Sequence, residues 1–144
     1  MESKPFLLRF KFRDFVCLPS TPGKCVYSDR VYDRRNGNGW QLQLYPGGIG
    51  DDDDDDDDDD GGVGVFLHNV EGSDVYASTA FVLRDAKGEI CHRSSSNDVD
   101  CYAMRGGCFG YRSFVSRSKI LDDGVLLGGT LIIDVEVRCR RGAA

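Results

Sequence analysis

Histidine, proline and long apolar runs are all scarce in this chain, and each scarcity removes a class of protein. Only two histidines, His68 and His92, occur in 144 residues. No Cys-x-x-Cys pair is present, so a zinc site would need ligands gathered from unrelated loops. No metal or other cofactor is expected. There is no G-x-S-x-G elbow to present a nucleophilic serine. No glycine cluster has the G-x-x-x-x-G-K-[ST] form of a phosphate loop. Cys91 adjoins His92, but neighbours in an extended strand point to opposite faces, so adjacency does not make them a nucleophile–base pair. Ser94, Ser95 and Ser96 read as a polar loop. The expectation is a protein that is not an enzyme.

No stretch approaches the ~20 consecutive apolar residues of a membrane span. Met1 to Pro5 lead directly into alternating sequence, without the apolar region and small-residue cleavage site of a secretory leader. The expected location is therefore intracellular, cytoplasmic or nuclear. In that compartment the six cysteines (Cys17, Cys25, Cys91, Cys101, Cys108 and Cys139) are expected as free thiols. No membrane partner is expected. Basic residues are scattered and form no stripe, so no nucleic-acid partner is expected either.

What the chain does have is acid in one place and alternation almost everywhere else. Its formal charge is −6, yet ten of its 24 acidic residues form the run Asp51 to Asp60. Without that run, 14 acids face 18 bases, and the remaining body is mildly basic at +4. Ten like charges repel one another and bury no apolar surface, so residues 47–62 read as a disordered acidic insertion in a hairpin. Such an insertion is cheap, because doubling a loop costs only about 0.6 kcal/mol. Cation binding there would be weak, since a homopolymer lacks the fixed ligand offsets of a calcium loop.

Elsewhere apolar residues recur with period two, the signature of half-buried strands. Phe6, Leu8, Phe10 and Phe12 share one face, with Arg9, Lys11 and Arg13 on the other. Cys25 to Tyr32 forms a second strand. Trp40, Leu42 and Leu44 face inward in a third, and Gln41 and Gln43 face outward. Val63, Val65 and Leu67 define a fourth. Val75, Ala77, Thr79, Phe81 and Leu83 define a fifth. A sixth lies around Asp100 to Met104. Ser113 to Leu121 fits a short strand or a helical turn. Leu131, Ile133, Val135, Val137 and Cys139 give a long last strand. Turn-forming Gly, Pro and Asn separate them. Seven or eight short strands without a long helical pattern indicate an antiparallel sandwich or barrel. No internal repeat is present.

Two places on this pattern stand out as binding candidates. If Val63, Val65 and Leu67 take the core face, Phe66 points the other way, where an aromatic ring wants cover from a loop or a ligand. In Phe109-Gly110-Tyr111, both rings project to one side if the segment is extended, either toward a ligand or as anchors in the core. Gly110 would permit close approach of another backbone.

Several segments together resemble the MATH domain, the sandwich also found as the C-terminal domain of TRAF proteins. Trp40-Gln-Leu-Gln-Leu-Tyr-Pro-Gly-Gly48 is similar to that family's W-x-L-x-x-x-P-x-G strand and turn. Val63-Gly-Val-Phe-Leu67 resembles its V-S-V-F-L strand, and Phe81-Val-Leu-Arg-Asp-Ala-Lys-Gly88 its F-x-L-x-[ND]-x-x-G hairpin. Phe109-Gly-Tyr-Arg-Ser-Phe114 is similar to W/F-G-F/Y-x-x-F. Ile120 to Leu126 and Leu131 to Val137 resemble the closing segment. The resemblance implies an all-β fold, an eight-stranded antiparallel β-sandwich, with a single domain over residues 6–140. It also implies protein–protein recognition, in which an extended peptide lies across the outer face of one sheet with strand-like backbone pairing.

By resemblance to the substrate-binding domain of MATH-BTB adaptors, Phe66, Phe109, Gly110 and Tyr111 match groove positions. Thr79 stands where those adaptors carry an aromatic. Cys101, with Tyr102 beside it, stands where they carry a tyrosine. Gly107-Cys108 replaces a charged pair, so the adaptors' peptide specificity does not transfer. The resemblance implies a protein or peptide partner, in the manner of a substrate-recognition adaptor for ubiquitination or signalling. The alternative is an oligomerisation or scaffold domain that meets another folded protein through its exposed sheet face. Few residues flank the first and last strands, so neither a coiled coil nor a BTB domain is expected alongside. A homo-oligomer and an assembly with a separate effector subunit both stay open.

Overall fold

The computed structural model describes residues 5–34, 37–49, 62–96, 98–103, 108–122 and 124–139. The acidic run Asp51 to Asp60, Met104 and the end of the expected domain at residue 140 lie outside the described residues.

The first alternating segment forms β1 (Phe6–Phe12), with Leu8, Phe10 and Phe12 buried and Leu7, Arg9 and Lys11 exposed. Asp14, in the left-handed region at φ 53°, then turns the chain into a 3₁₀ turn at Phe15–Cys17. The expected second strand is two short pieces, β2 (Val26–Tyr27) and β3 (Val31–Tyr32). Both pair with β4 (Gly39–Tyr45), and Ser28 between them accepts the Leu42 amide on its Oγ. Next come β5 (Gly62–Glu71) and β6 (Val75–Arg84), the longest strands described. β7 (Ile90–Ser95), β8 (Asp100–Tyr102), β9 (Cys108–Ser116) and β10 (Leu131–Cys139) complete the set.

Ser94 and Ser95 are therefore strand residues, not loop. β7 shows no apolar stripe because it is an edge strand with little burial, paired only to β6. The ambiguous stretch after Ser113 is both things in succession. β9 runs to Ser116, and α1 (Arg117–Asp122) follows, with the Ser116 hydroxyl accepting the Lys119 amide at 3.2 Å as a cap.

The strands make two antiparallel sheets. One has the order β1-β10-β6-β7, with β8 also on β6; the other has the order β2-β4-β5-β9, with β3 also on β4. Their facing sides supply the core: Phe10, Phe81, Ile133 and Val135 from one, Trp40, Leu42, Val65 and Leu67 from the other. No helix among the described residues is long and apolar enough to cross a membrane.

Alternation misjudges the outer side of three central strands, β6, β10 and β4. Val82 and Ala80 of β6 point away from the core yet are buried. Val82 is flanked by Asp134 of β10 and Arg93 of β7. Asp134 itself is 0% exposed and accepts Arg9 Nε at 2.8 Å and Arg84 Nε at 2.8 Å. Gln43 points outward from β4 but is only 9% exposed, for reasons given below.

Candidate functional site

Strand β9 decides the site, because it is the terminal strand of its sheet. Half of the backbone N–H and C=O groups of an edge strand face outward, a template for an added strand. Its register on β5 places Phe109 opposite Leu67, Gly110 opposite Phe66 and Tyr111 opposite Val65. Directly opposed residues share a face, and Leu67 and Val65 face the core. Phe109 and Tyr111 therefore turn inward, to the rim where the two sheets meet.

There they are half-buried against a wall of aromatics. Phe109 stands edge-on to Tyr102 at 5.2 Å, and Tyr102 stands edge-on to Trp40 at 5.6 Å. Tyr111 meets Phe81 of the other sheet at 5.4 Å and tilts against Phe114 at 6.3 Å. Tyr102 is fully buried, so its hydroxyl needs a partner, and the Thr79 hydroxyl lies 3.2 Å away. Burial pushes the Tyr102 phenol up to about 12, against a smaller lowering by the Thr79 hydrogen bond. Behind it, Asn69 donates to the Tyr102 carbonyl at 2.8 Å and to the Ser73 carbonyl at 2.8 Å. Thr79, Tyr102, Phe109 and Tyr111 thus form one cluster drawn from both sheets.

Phe66 does not belong to that cluster. It lies on the outer face of the β5 sheet, where the alternation of Val63, Val65 and Leu67 puts it, so the candidates do not share the one sheet face that the resemblance implies. Phe66 is half-buried and stands edge-on to Tyr45 at 6.0 Å. Gly110 is beside it, and a Cβ on Gly110 would run into the Val65 carbonyl oxygen and come within 2.7 Å of Phe66 Cα. The backbone that Gly110 admits so closely is that of its own neighbour β5.

The outer face carries a polar network that alternation alone did not reveal. Gln43, across from Phe66, donates through Nε2 to Tyr45 Oη at 3.0 Å and to Cys25 Sγ at 3.3 Å. Its Oε1 lies 2.8 Å from His68 Nε2. With both Gln43 amide hydrogens turned to Tyr45 and Cys25, the atom facing His68 is the carbonyl oxygen, which can only accept, so His68 donates through Nε2. Burial holds the His68 imidazole below its usual pKa, favouring the neutral ring. Tyr27 closes the patch edge-on to His68 at 5.8 Å. These partners come from β4, β5, β2 and the residue just before β2, segments adjacent only in the fold, and their sequence signal was limited to polar residues at outward positions.

Among the described residues, no group of three or more His, Cys, Asp or Glu could hold a metal ion. Cys108, at the start of β9, has its thiol pushed up by burial, which makes it a poorer nucleophile.

Two antiparallel sheets packed face to face on one apolar core define a β-sandwich domain. A family model described as "MATH domain" matches residues 9–137, nearly the whole length, and the chain belongs to the MATH domain family. Members are protein–protein interaction modules, generally without enzymatic activity, that bind protein partners and often oligomerise. Among solved structures the chain is similar to TRAF5 of Notothenia coriiceps, with a TM-score of 0.60 at 15% identity, covering 96% of this chain and 75% of that one. At that identity the likeness establishes the fold alone. No curated protein matches the sequence.

Proposed function

We propose that this domain holds a short extended segment of a partner protein along the rim of β9, as the substrate-recognition part of a ubiquitination or signalling assembly. The observation that carries it is the edge position of β9 with Phe109 and Tyr111 half-buried along it. An added strand would pair with the outward backbone of β9, while its side chains met those rings. Thr79 and Tyr102 support the floor from behind and do not need to touch the peptide. Phe66 and Tyr45 lie around the corner, where a longer segment would reach them. The intracellular placement, cytoplasmic or nuclear, is part of this proposal and rests on the sequence.

A peptide-display screen tests it, run with the wild-type chain and with Phe109→Ala/Tyr111→Ala. The wild type should enrich a family of extended peptides that the double variant fails to retain, with both proteins folded by circular dichroism. Identical enrichment by both proteins would remove β9 as the docking edge. A Phe66→Ala variant separates the two surfaces. Loss confined to longer peptides places Phe66 at the end of the track.

A further inference from the structure

The opposite rim of the sandwich carries a second open edge with different chemistry. There β1, the other terminal strand of its sheet, faces β2 and β3 of the second sheet across a cleft of about 530 Å³. Arg9 and Lys11 on one side of β1, and Arg13 just past its end, line the cleft, against a single acid, Asp29. Neither Lys11 nor Arg13 has an ion-pair partner among the described residues. Arg9 does have one, but it shares Asp134 with Arg84, so two cations meet one carboxylate. The rim is therefore positive.

The inner wall is apolar. Phe12, Leu18, Val26 and Val31 line the same cleft, and the last three are only partly buried. Cationic and apolar positions thus alternate along one open strand edge. Alternate residues of a strand stand roughly 6.6–6.8 Å apart, twice the rise per residue. A partner strand laid on β1 has the same repeat, so acids at every second position would fall beside Arg9 and Lys11, with Arg13 waiting past the end of the strand. The intervening side chains would meet the apolar wall, and the main chain would pair with β1.

We propose that the β1 rim is a second docking edge, and that it takes an extended peptide in which acidic and apolar residues alternate. A nucleic-acid strand could offer phosphates to the three cations. It would leave the outward amides and carbonyls of β1 and the apolar wall without partners, so the surface favours a peptide. This site is independent of the β9 rim.

The test uses the full chain and a fluorescein-labelled peptide of alternating Glu and Val. Controls are a peptide of the same composition with Glu and Val in separate blocks, and a single-stranded oligonucleotide. Lys11→Glu/Arg13→Glu reverses the charge at two exposed positions and leaves Arg9 on Asp134. The alternating peptide should bind saturably and perturb the amide resonances of residues 9–13. The block peptide should bind at least about tenfold more weakly, and so should the alternating peptide to the double variant. A Lys–Val alternating peptide should bind the double variant better than the wild type. Phe109→Ala should leave all of this unchanged. No saturable binding, equal binding of the block peptide, tighter binding of the oligonucleotide, or sensitivity to Phe109→Ala would each overturn the proposal.

Discussion

Single residues carry very different loads in this sandwich. Trp40 is fully buried and meets Tyr102 edge-on. Trp40→Ala should cost about 3–5 kcal/mol in denaturant unfolding, as expected for deletion of a buried aromatic. A loss below about 1 kcal/mol would contradict its place in the core. Thr79→Val tests a subtler dependence. It keeps the shape but leaves the buried Tyr102 hydroxyl without its Thr79 partner, at about 1–3 kcal/mol. If peptide capture at β9 survives once that variant is folded, Thr79 supports the floor without touching the ligand. Phe66→Ala should cost clearly less stability than Trp40→Ala, because its ring is half-exposed on the outer face. The intended face of Phe66 was legible from the alternation Val63, Val65, Leu67. The face of Phe109 and Tyr111 was not, because extended sequence shows that two side chains agree, not which way both point.

At the scale of the strand, pairing settles what alternation leaves open. β9 is held on β5 by a register in which Gly110 lies too close to Val65 for any Cβ. Gly110→Ala should push the two strands apart and raise amide exchange in β9 and β5 before it changes exchange in β1 or β10. Uniform acceleration over all strands would show a global loss of stability instead. In the other sheet, β10 brings Asp134 between β1 and β6, where Arg9 and Arg84 converge on it. Burial raises the Asp134 carboxyl, but the hydrogen bonds and charges of the two arginines outweigh it, and its pKa is lowered overall. A depressed folded pKa means the stabilisation is present above the unfolded value of about 3.9 and disappears as pH falls through the lower folded value. Asp134→Asn should therefore lower the melting temperature at neutral pH, and the gap from wild type should narrow in acid below about pH 4. A gap that stayed constant across that range would show that the carboxylate's charge is not what stabilises the sheet.

For the molecule as a whole, the two sheets leave two open rims on opposite sides. One is floored by Phe109 and Tyr111 at β9; the other is lined by Arg9, Lys11 and Arg13 at β1. Peptides captured at the two rims should bind without competing, and saturating one should leave the affinity for the other within about twofold, a coupling under ~0.5 kcal/mol. Mutual exclusion in a displacement titration would merge them into one site. The same architecture predicts ordered thiol chemistry. Cys17 is the exposed cysteine, and Cys108 has its thiol raised by burial. In a native-state alkylation time course Cys17 should label first and Cys108 well behind it, with denaturant abolishing the order.

The period-two pattern was enough to establish an antiparallel sandwich or barrel and most of its inner faces, because a strand that is half in water must alternate, and the family resemblance pointed to the sandwich. It missed β7, since an edge strand with little burial has no apolar stripe to show. It split no strand at Ser28, since that break is made by a hydrogen bond to Leu42, far along the chain. It also could not place Asp134 or Gln43, whose burial depends on partners from other strands. Tertiary structure alone decided that Phe109 and Tyr111 line an inter-sheet rim, on the other face of their sheet from Phe66. The reason is register: which side of β9 meets the core follows from its pairing with Val65 and Leu67, and pairing partners lie dozens of residues apart.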